Sequence, residues 1–232
     1  MRKYRTVSVV FPTYNEGRFI AKSIQKAKKS RYVFEVIVVD GGSTDDTVEK
    51  AKKVGAKVIY QSSLKYPGKG VAMRDAISLA SGEIIVFMDA DILNFNTRMI
   101  NKLVKPIIDG EADFVKGTFG RVAGRVTELV AKPLLRVFYP EYAVFRQPLS
   151  GEIAGKKEVF KAIKFEQDWG VDIGLLIDIA RKGYRIKEVD IGYKRHDMKK
   201  LEELRTMARQ VALAILKRAV RDRRFKKGLE KG

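Results

Sequence analysis

The sequence predicts an α/β fold: a mostly parallel, twisted sheet flanked by helices and closed by one long C-terminal helix. Three observations carry this. Apolar, β-branched runs alternate with amphipathic helical patterns through the first half, the mark of strands buried on both faces. Strands and helices that take turns in this way build a parallel sheet through right-handed crossovers. The residues able to do chemistry fall at the carboxyl ends of those runs, where open α/β sheets bind their ligands.

Residues 6–11, 35–39, 57–60 and 83–88 read as the first four strands. Between them, 17–29, 45–54 and 69–80 show helical spacing. Ser43 or Thr44 is placed to cap the second helix, with Asp45 and Asp46 in its first turn at the positive end of the helix dipole. Beyond Asp91 the regularity loosens. Residues 98–108 and 126–137 read as helices and 113–117 as a short strand, while 117–124 and 139–155 are loop-rich and polar. Residues 170–180 are helical and 185–192 form an alternating strand. Leu201, Leu204, Ala208, Val211, Ile215 and Ala219 mark one stripe of the closing helix. Without a repeat or a linker, residues 1–232 read as one domain.

Composition removes several function classes. There is no cysteine, so disulfides, thiol nucleophiles and zinc–thiolate sites are excluded. The longest apolar run, Val211 to Leu216, falls far short of the ~18 residues of a membrane span. The apolar stretch 6–11 is too short for a signal peptide, so a soluble, cytoplasmic protein is expected. The net charge of +19 points to polyanions: nucleic acid, phosphorylated substrates or an anionic membrane. Nucleic acid is disfavoured, because the chain has one tryptophan and no aromatic–basic platform.

The first strand ends in Pro12-Thr13-Tyr14-Asn15-Glu16, the second in Asp40-Gly41-Gly42-Ser43-Thr44-Asp45-Asp46-Thr47, and the fourth in Asp89-Ala90-Asp91. Asp89 and Asp91, two apart in extended chain, project to one side and suit a hard divalent cation that also holds a diphosphate. One such cluster is ordinary turn chemistry. Three at successive ends of one sheet describe a site.

On these segments, together with Pro67-Gly68-Lys69-Gly70, residues 6–117 resemble the nucleotide-sugar-binding half of family 2 glycosyltransferases with the GT-A (Rossmann-like) fold. The resemblance implies that Pro12, Thr13, Tyr14, Glu16, Asp40, Gly41 and Ala90 line the donor nucleotide site. It also implies that Asp89 and Asp91 bind Mg²⁺ or Mn²⁺ on the diphosphate, and that Lys69 adds a cation there. Where one branch of the family, that of the phosphoglycerate-glucosylating synthases, has a serine, this chain has Gly41, so UDP-glucose and GDP-glucose both stay open as donors.

Residues 118–232 read as the acceptor half. The stretches Gly124-Arg125-Val126-Thr127-Glu128-Leu129, Gln147-Pro148-Leu149-Ser150-Gly151-Glu152, Gly170-Val171-Asp172 and Leu201-Glu202-Glu203-Leu204 resemble one branch of the family, the glucosyl-3-phosphoglycerate synthases. The resemblance implies an acceptor site at Gly124, Arg125, Val126, Thr127 and Leu149, sugar contacts from Asp172, His196 as third metal ligand, and a retaining transfer. An inverting route would need a carboxylate base, for which Glu152 and Asp172 are the candidates. Independently of family, an Arg and a Thr at a helix start make a fair anion site. The competing reading is a sugar transferase acting on polyprenyl phosphate, with the basic C-terminal helix on anionic lipid. The same apolar stripe suits packing on the core or a homodimer contact.

Overall fold

The computed structural model describes residues 7–65, 68–120, 124–195 and 201–225. Its sheet holds β1 (Val7–Thr13), β2 (Val33–Asp40), β3 (Lys57–Tyr60), β4 (Ile84–Phe87), β5 (Phe114–Thr118), β6 (Ile153–Lys156) and β7 (Ile186–Asp190), in the order β3-β2-β1-β4-β6-β5-β7. The helices are α1 (Ile20–Lys28), α2 (Thr47–Lys53), α3 (Lys69–Leu79), α4 (Thr97–Ile108), α5 (Lys132–Phe138), α6 (Lys157–Lys161), α7 (Val171–Arg181) and α8 (Leu201–Arg221).

Strand alternation sorts the core into two layers. Val7, Val9, Phe11, Val36, Val38, Ile84 and Val86 pack under α1 and α4. Val10, Ile37, Val39, Ile85 and Phe87 face α3, α6 and α7. Each such side chain, removed from water, contributes about 1.5–3 kcal/mol. Register then brings the functional ends together. Thr13 pairs with Asp40 and Asp40 with Tyr60, so the first three strands finish level.

One strand was not expected. β6 lies inside a stretch that reads as loop, and it runs antiparallel between β4 and β5. Its four residues, Ile-Ala-Gly-Lys, carry little strand signal of their own. Neighbours on both sides specify it instead. Because β6 is reversed, its first end meets the carboxyl ends of its neighbours, and Glu152 arrives beside Asp89.

Other boundaries also differ. α2 starts at Thr47 with Asp46 at its cap, not Ser43 or Thr44. Asp45 sits outside the helix, and its Oδ1 accepts from the Thr47 N–H at 3.0 Å. The helix expected over 126–137 opens instead as a π-helical turn, Thr127–Ala131, and continues as α5. The closing helix buries Val211, Ala214, Ile215 and Ala219 against Ile173 and Ile177 of α7 and Leu135 and Phe138 of α5. Leu201 leaves the stripe and is 66% exposed. Among the described residues no helix is long and apolar enough to cross a membrane.

Candidate active site

The two polar loops after β1 and β2 are tied to each other. The Asn15 N–H donates to Ser43 Oγ at 2.8 Å, the Glu16 N–H to Thr47 Oγ1 at 2.8 Å, and the Gly17 N–H to Asp45 Oδ2 at 3.0 Å. Asp40 is fully buried. Its Oδ2 accepts from the Gly42 and Ser43 N–H groups, both at 2.9 Å, and its Oδ1 from the Ser43 hydroxyl at 2.5 Å. Its carboxylate thus shapes this loop. Tyr14, by contrast, stands 59% exposed at the rim. Gly41 is closely covered: a Cβ there would lie 3.0 Å from Gln61 Nε2, and the Gln61 Oε1 is held by the Gly68 N–H at 2.9 Å. An amide donor therefore stands where the family pattern would place a serine.

Next to these loops a cavity of about 330 Å³ opens over the ends of β4, β5, β6 and β7. Lys69, Asp89, Asp91, Glu152 and Asp172 line it, and so do Gly124, Arg125, Val126, Thr127 and Leu149. The structure thus brings the predicted diphosphate, metal and acceptor residues into one space. Pro12, Thr13, Tyr14, Glu16, Asp40, Gly41 and Ala90 are not in its wall. They belong to the adjoining loops. Phe119, Trp169, Leu204 and Met207 give the cavity an apolar side.

The floor is a lattice of opposite charges. Lys69 Nζ lies 3.0 Å from Asp172 Oδ2 and 3.3 Å from Asp89 Oδ1. Lys194 Nζ lies 3.1 Å from Asp89 Oδ2 and hydrogen-bonds Glu152 Oε1. Burial opposes both ammonium charges, but the facing carboxylates outweigh it and raise both lysines above their ordinary range. Burial also works against the Asp89 carboxylate, yet Lys69 and Lys194 hold it well below the usual range. Glu152 and Asp172 are pushed up, first by burial, while Lys194 and Lys69 respectively resist. Asp172 Oδ1 is buried with no hydrogen-bond partner, an acceptor left unsatisfied.

Two buried lysines at or beside this lattice were missed in the sequence. Lys116 shares a face of β5 with Phe114, and its fully buried Nζ donates to Ser150 O at 3.0 Å and Asp172 O at 3.2 Å. Burial lowers its pKa to about 8. A lysine between Val115 and Gly117 in an otherwise buried strand was the available signal. Lys194 stands in the segment after β7, two residues before His196, and carried no signal beyond that spacing.

His196 lies outside the described residues. Among those described, no three His, Cys, Asp or Glu side chains group to hold a metal ion by themselves. Asp89 and Asp91 nonetheless supply two hard oxygen donors on one turn of one cavity wall. That donor set fits Mg²⁺ or Mn²⁺ sharing its shell with phosphate oxygens and water, which such ions prefer to all-protein cages.

Comparison with known proteins agrees with this arrangement. The sequence model described as glycosyl transferase family 2 matches residues 8–167. Glucosyl-3-phosphoglycerate synthase of Petrotoga mobilis is 37% identical, with 91% of this chain and 73% of that protein aligned. The synthase of Mycobacterium tuberculosis is 38% identical over 92% of this chain and 74% of its own length. A crystal structure of the Mycobacterium tuberculosis synthase with Mn²⁺, UDP-glucose and phosphoglyceric acid superposes with a TM-score of 0.86 at 39% identity, covering 93% of this chain and 80% of that one. A second, holding Mg²⁺ and UDP, also gives 0.86, at 40% identity over 93% and 79%.

Proposed function

The chain belongs to glycosyl transferase family 2, and from that membership we propose that it transfers the glucosyl group of UDP-glucose to the free hydroxyl of 3-phosphoglycerate. One observation carries the reading. Two ammonium groups, Lys69 and Lys194, converge on Asp89 in the same cavity that Arg125 and Thr127 border. That is a floor of paired ammonium and carboxylate groups, able to take a diphosphate with its metal ion, beside the Arg125 guanidinium at the edge for an acceptor phosphate.

In the transfer, the bond between the sugar's anomeric carbon and the diphosphate oxygen breaks. The acceptor oxygen bonds to that carbon on the same face, and its proton passes to the departing oxygen, so configuration is retained. Lys69 and Lys194 meet the charge that grows on the diphosphate, in a buried setting where such contacts are strongest. Asp89 and Asp91, joined on the sequence's account by His196, would hold the divalent ion. When bound, that ion supplies Lewis-acid neutralisation of the same phosphates. Arg125, with its planar fork, and the Thr127 hydroxyl hold the acceptor phosphate, which places the hydroxyl beside the anomeric carbon. Asp172, whose Oδ1 has no partner within the protein, takes a sugar hydroxyl. The same-face route needs no enzymic base, so Glu152 and Asp172, each hydrogen-bonded to a lysine, are given no proton-transfer step.

The loops holding Pro12, Thr13, Tyr14, Glu16, Asp40, Gly41 and Ala90 take the uridine, with the Gln61 amide beside Gly41 available to a base oxygen. The polyprenyl phosphate reading loses its support, since the stripe of α8 is spent on α5 and α7. Incubation with UDP-glucose or GDP-glucose, 3-phosphoglycerate and Mg²⁺ or Mn²⁺ tests the proposal. UDP-glucose should be consumed, and NMR of the product should show the donor's α configuration. Preference for GDP-glucose, or a β-linked product, would overturn that part of it.

A further inference from the structure

α8 does more than cover α7. Arg218, 5% exposed in the middle of its buried stripe, divides its guanidinium between two elements. Nη1 donates to Glu166 Oε1 at 2.7 Å, while Nε and Nη2 donate to Asp178 Oδ2 at 2.9 and 2.6 Å. Asp178 belongs to α7, which also carries Asp172. Glu166 belongs to the loop before α7. The guanidinium lies flat on Gly174, where any Cβ would come within 2.7 Å of Nη2.

The Glu166 loop is in turn the seat of Lys69. The Val71 N–H donates to Gln167 O at 3.2 Å, so this loop covers the first turn of α3. The approach is backbone to backbone: a Cβ on Gly70 would fall 1.8 Å from Glu166 O, and one on Gly68 2.2 Å from Gln167 O. The loop also presents Trp169, whose ring centroid is 5.6 Å from Lys69 Nζ.

We propose that Arg218 is a positioning residue for the transfer: by holding Glu166 and Asp178 together it fixes the loop under Lys69 against the helix that carries Asp172. This rests on the reading of Lys69 as a partner of the donor diphosphate. The effect runs through rigid, directly touching backbone, and a shift of about 1 Å in such a group costs on the order of a hundredfold in rate.

Three variants test it: Arg218→Lys, Glu166→Ala and Glu166→Gln. Glu166→Ala removes the loop's hold from a half-buried position and should leave the fold intact, with kcat falling roughly ten- to hundredfold. The KM for 3-phosphoglycerate should stay within about twofold, because Arg125 and Thr127 are not on this path. Glu166→Gln, whose amide oxygen still accepts from Nη1, should recover most of the rate. Arg218→Lys should lose rate, since an ammonium cannot span both carboxylates. Emission of Trp169, the chain's one tryptophan, should shift with the rate in each variant. A folded Glu166→Ala protein with unchanged kcat and unchanged emission would overturn the proposal, even where Arg218→Lys fails to fold. Wild-type protein inactive with UDP-glucose and 3-phosphoglycerate would instead overturn the reading beneath it.

Discussion

The Lys194 ammonium is hydrogen-bonded to the Glu152 carboxylate, joining the segment after β7 to the residue before β6. Both are buried, and Lys194 also lies 3.1 Å from Asp89. This pair ties the reversed strand to the charged floor of the cavity. Lys194→Met should therefore be costly twice. Leaving Glu152 and Asp89 without their shared cation should destabilise the fold by about 3–5 kcal/mol, read by chemical denaturation. Turnover of the folded fraction should drop, with the KM for UDP-glucose raised. Lys194→Arg should keep more of both.

Asp91 faces the same cavity as Asp89. Asp91→Ala should abolish turnover with Mg²⁺ or Mn²⁺ while the circular dichroism spectrum and melting curve stay near wild type. Chelator should silence the wild type, and either ion should restore it. His196→Ala should cost less, about 10–100-fold, as loss of one supporting ligand does. Full activity of Asp91→Ala in chelator would contradict the metal assignment.

Arg125 borders the cavity and is exposed at its edge. A charge-assisted contact to phosphate is worth about 1.5–3 kcal/mol. Arg125→Ala should accordingly raise the KM for 3-phosphoglycerate roughly 10- to 150-fold, with the KM for UDP-glucose little changed. Arg125→Lys should recover part of the loss, because charge survives and the fork does not.

Lys116 gives a pH signature. Its folded pKa is lowered, first by burial, to about 8 from the ordinary lysine value of 10.5. Between those two values the unfolded chain binds the proton and the folded chain does not. Stability from this group therefore rises as pH climbs through that window, and the penalty for burying the charge is in full force below about pH 8. Denaturation of wild type and Lys116→Met from pH 7 to 10 checks the sign: the difference should move in favour of the wild type above pH 8. A difference independent of pH would contradict it.

Much of this site could be read along the chain. Periodicity placed β1 to β4 and the helices between them, Asp89 and Asp91 follow from a strand end, and Lys69 came from the family resemblance. Arg125 and Thr127 were legible at a helix start, although the first turn there is π-helical. The rest was hidden for a physical reason. β6 is a strand because Phe87 pairs with Ile153 and Phe114 with Gly155, relationships that so short a segment does not announce. Lys116, Lys194 and Arg218 are buried cations in a chain with 47 lysines and arginines. Composition makes each of them look like solvated surface. Carboxylates from distant elements hold Lys194 and Arg218 inside, and the Ser150 and Asp172 carbonyls hold Lys116.

The central claim is that one cavity joins a lysine–carboxylate floor for the metal-bound diphosphate to an anion site for a phosphorylated acceptor. Its most direct test is UDP release from UDP-glucose with Mn²⁺, measured with 3-phosphoglycerate and with glycerate as the acceptor. The account predicts rapid release and a glucosylated product with 3-phosphoglycerate, and at least tenfold lower kcat/KM with glycerate. Equal kcat/KM for the two acceptors would contradict it.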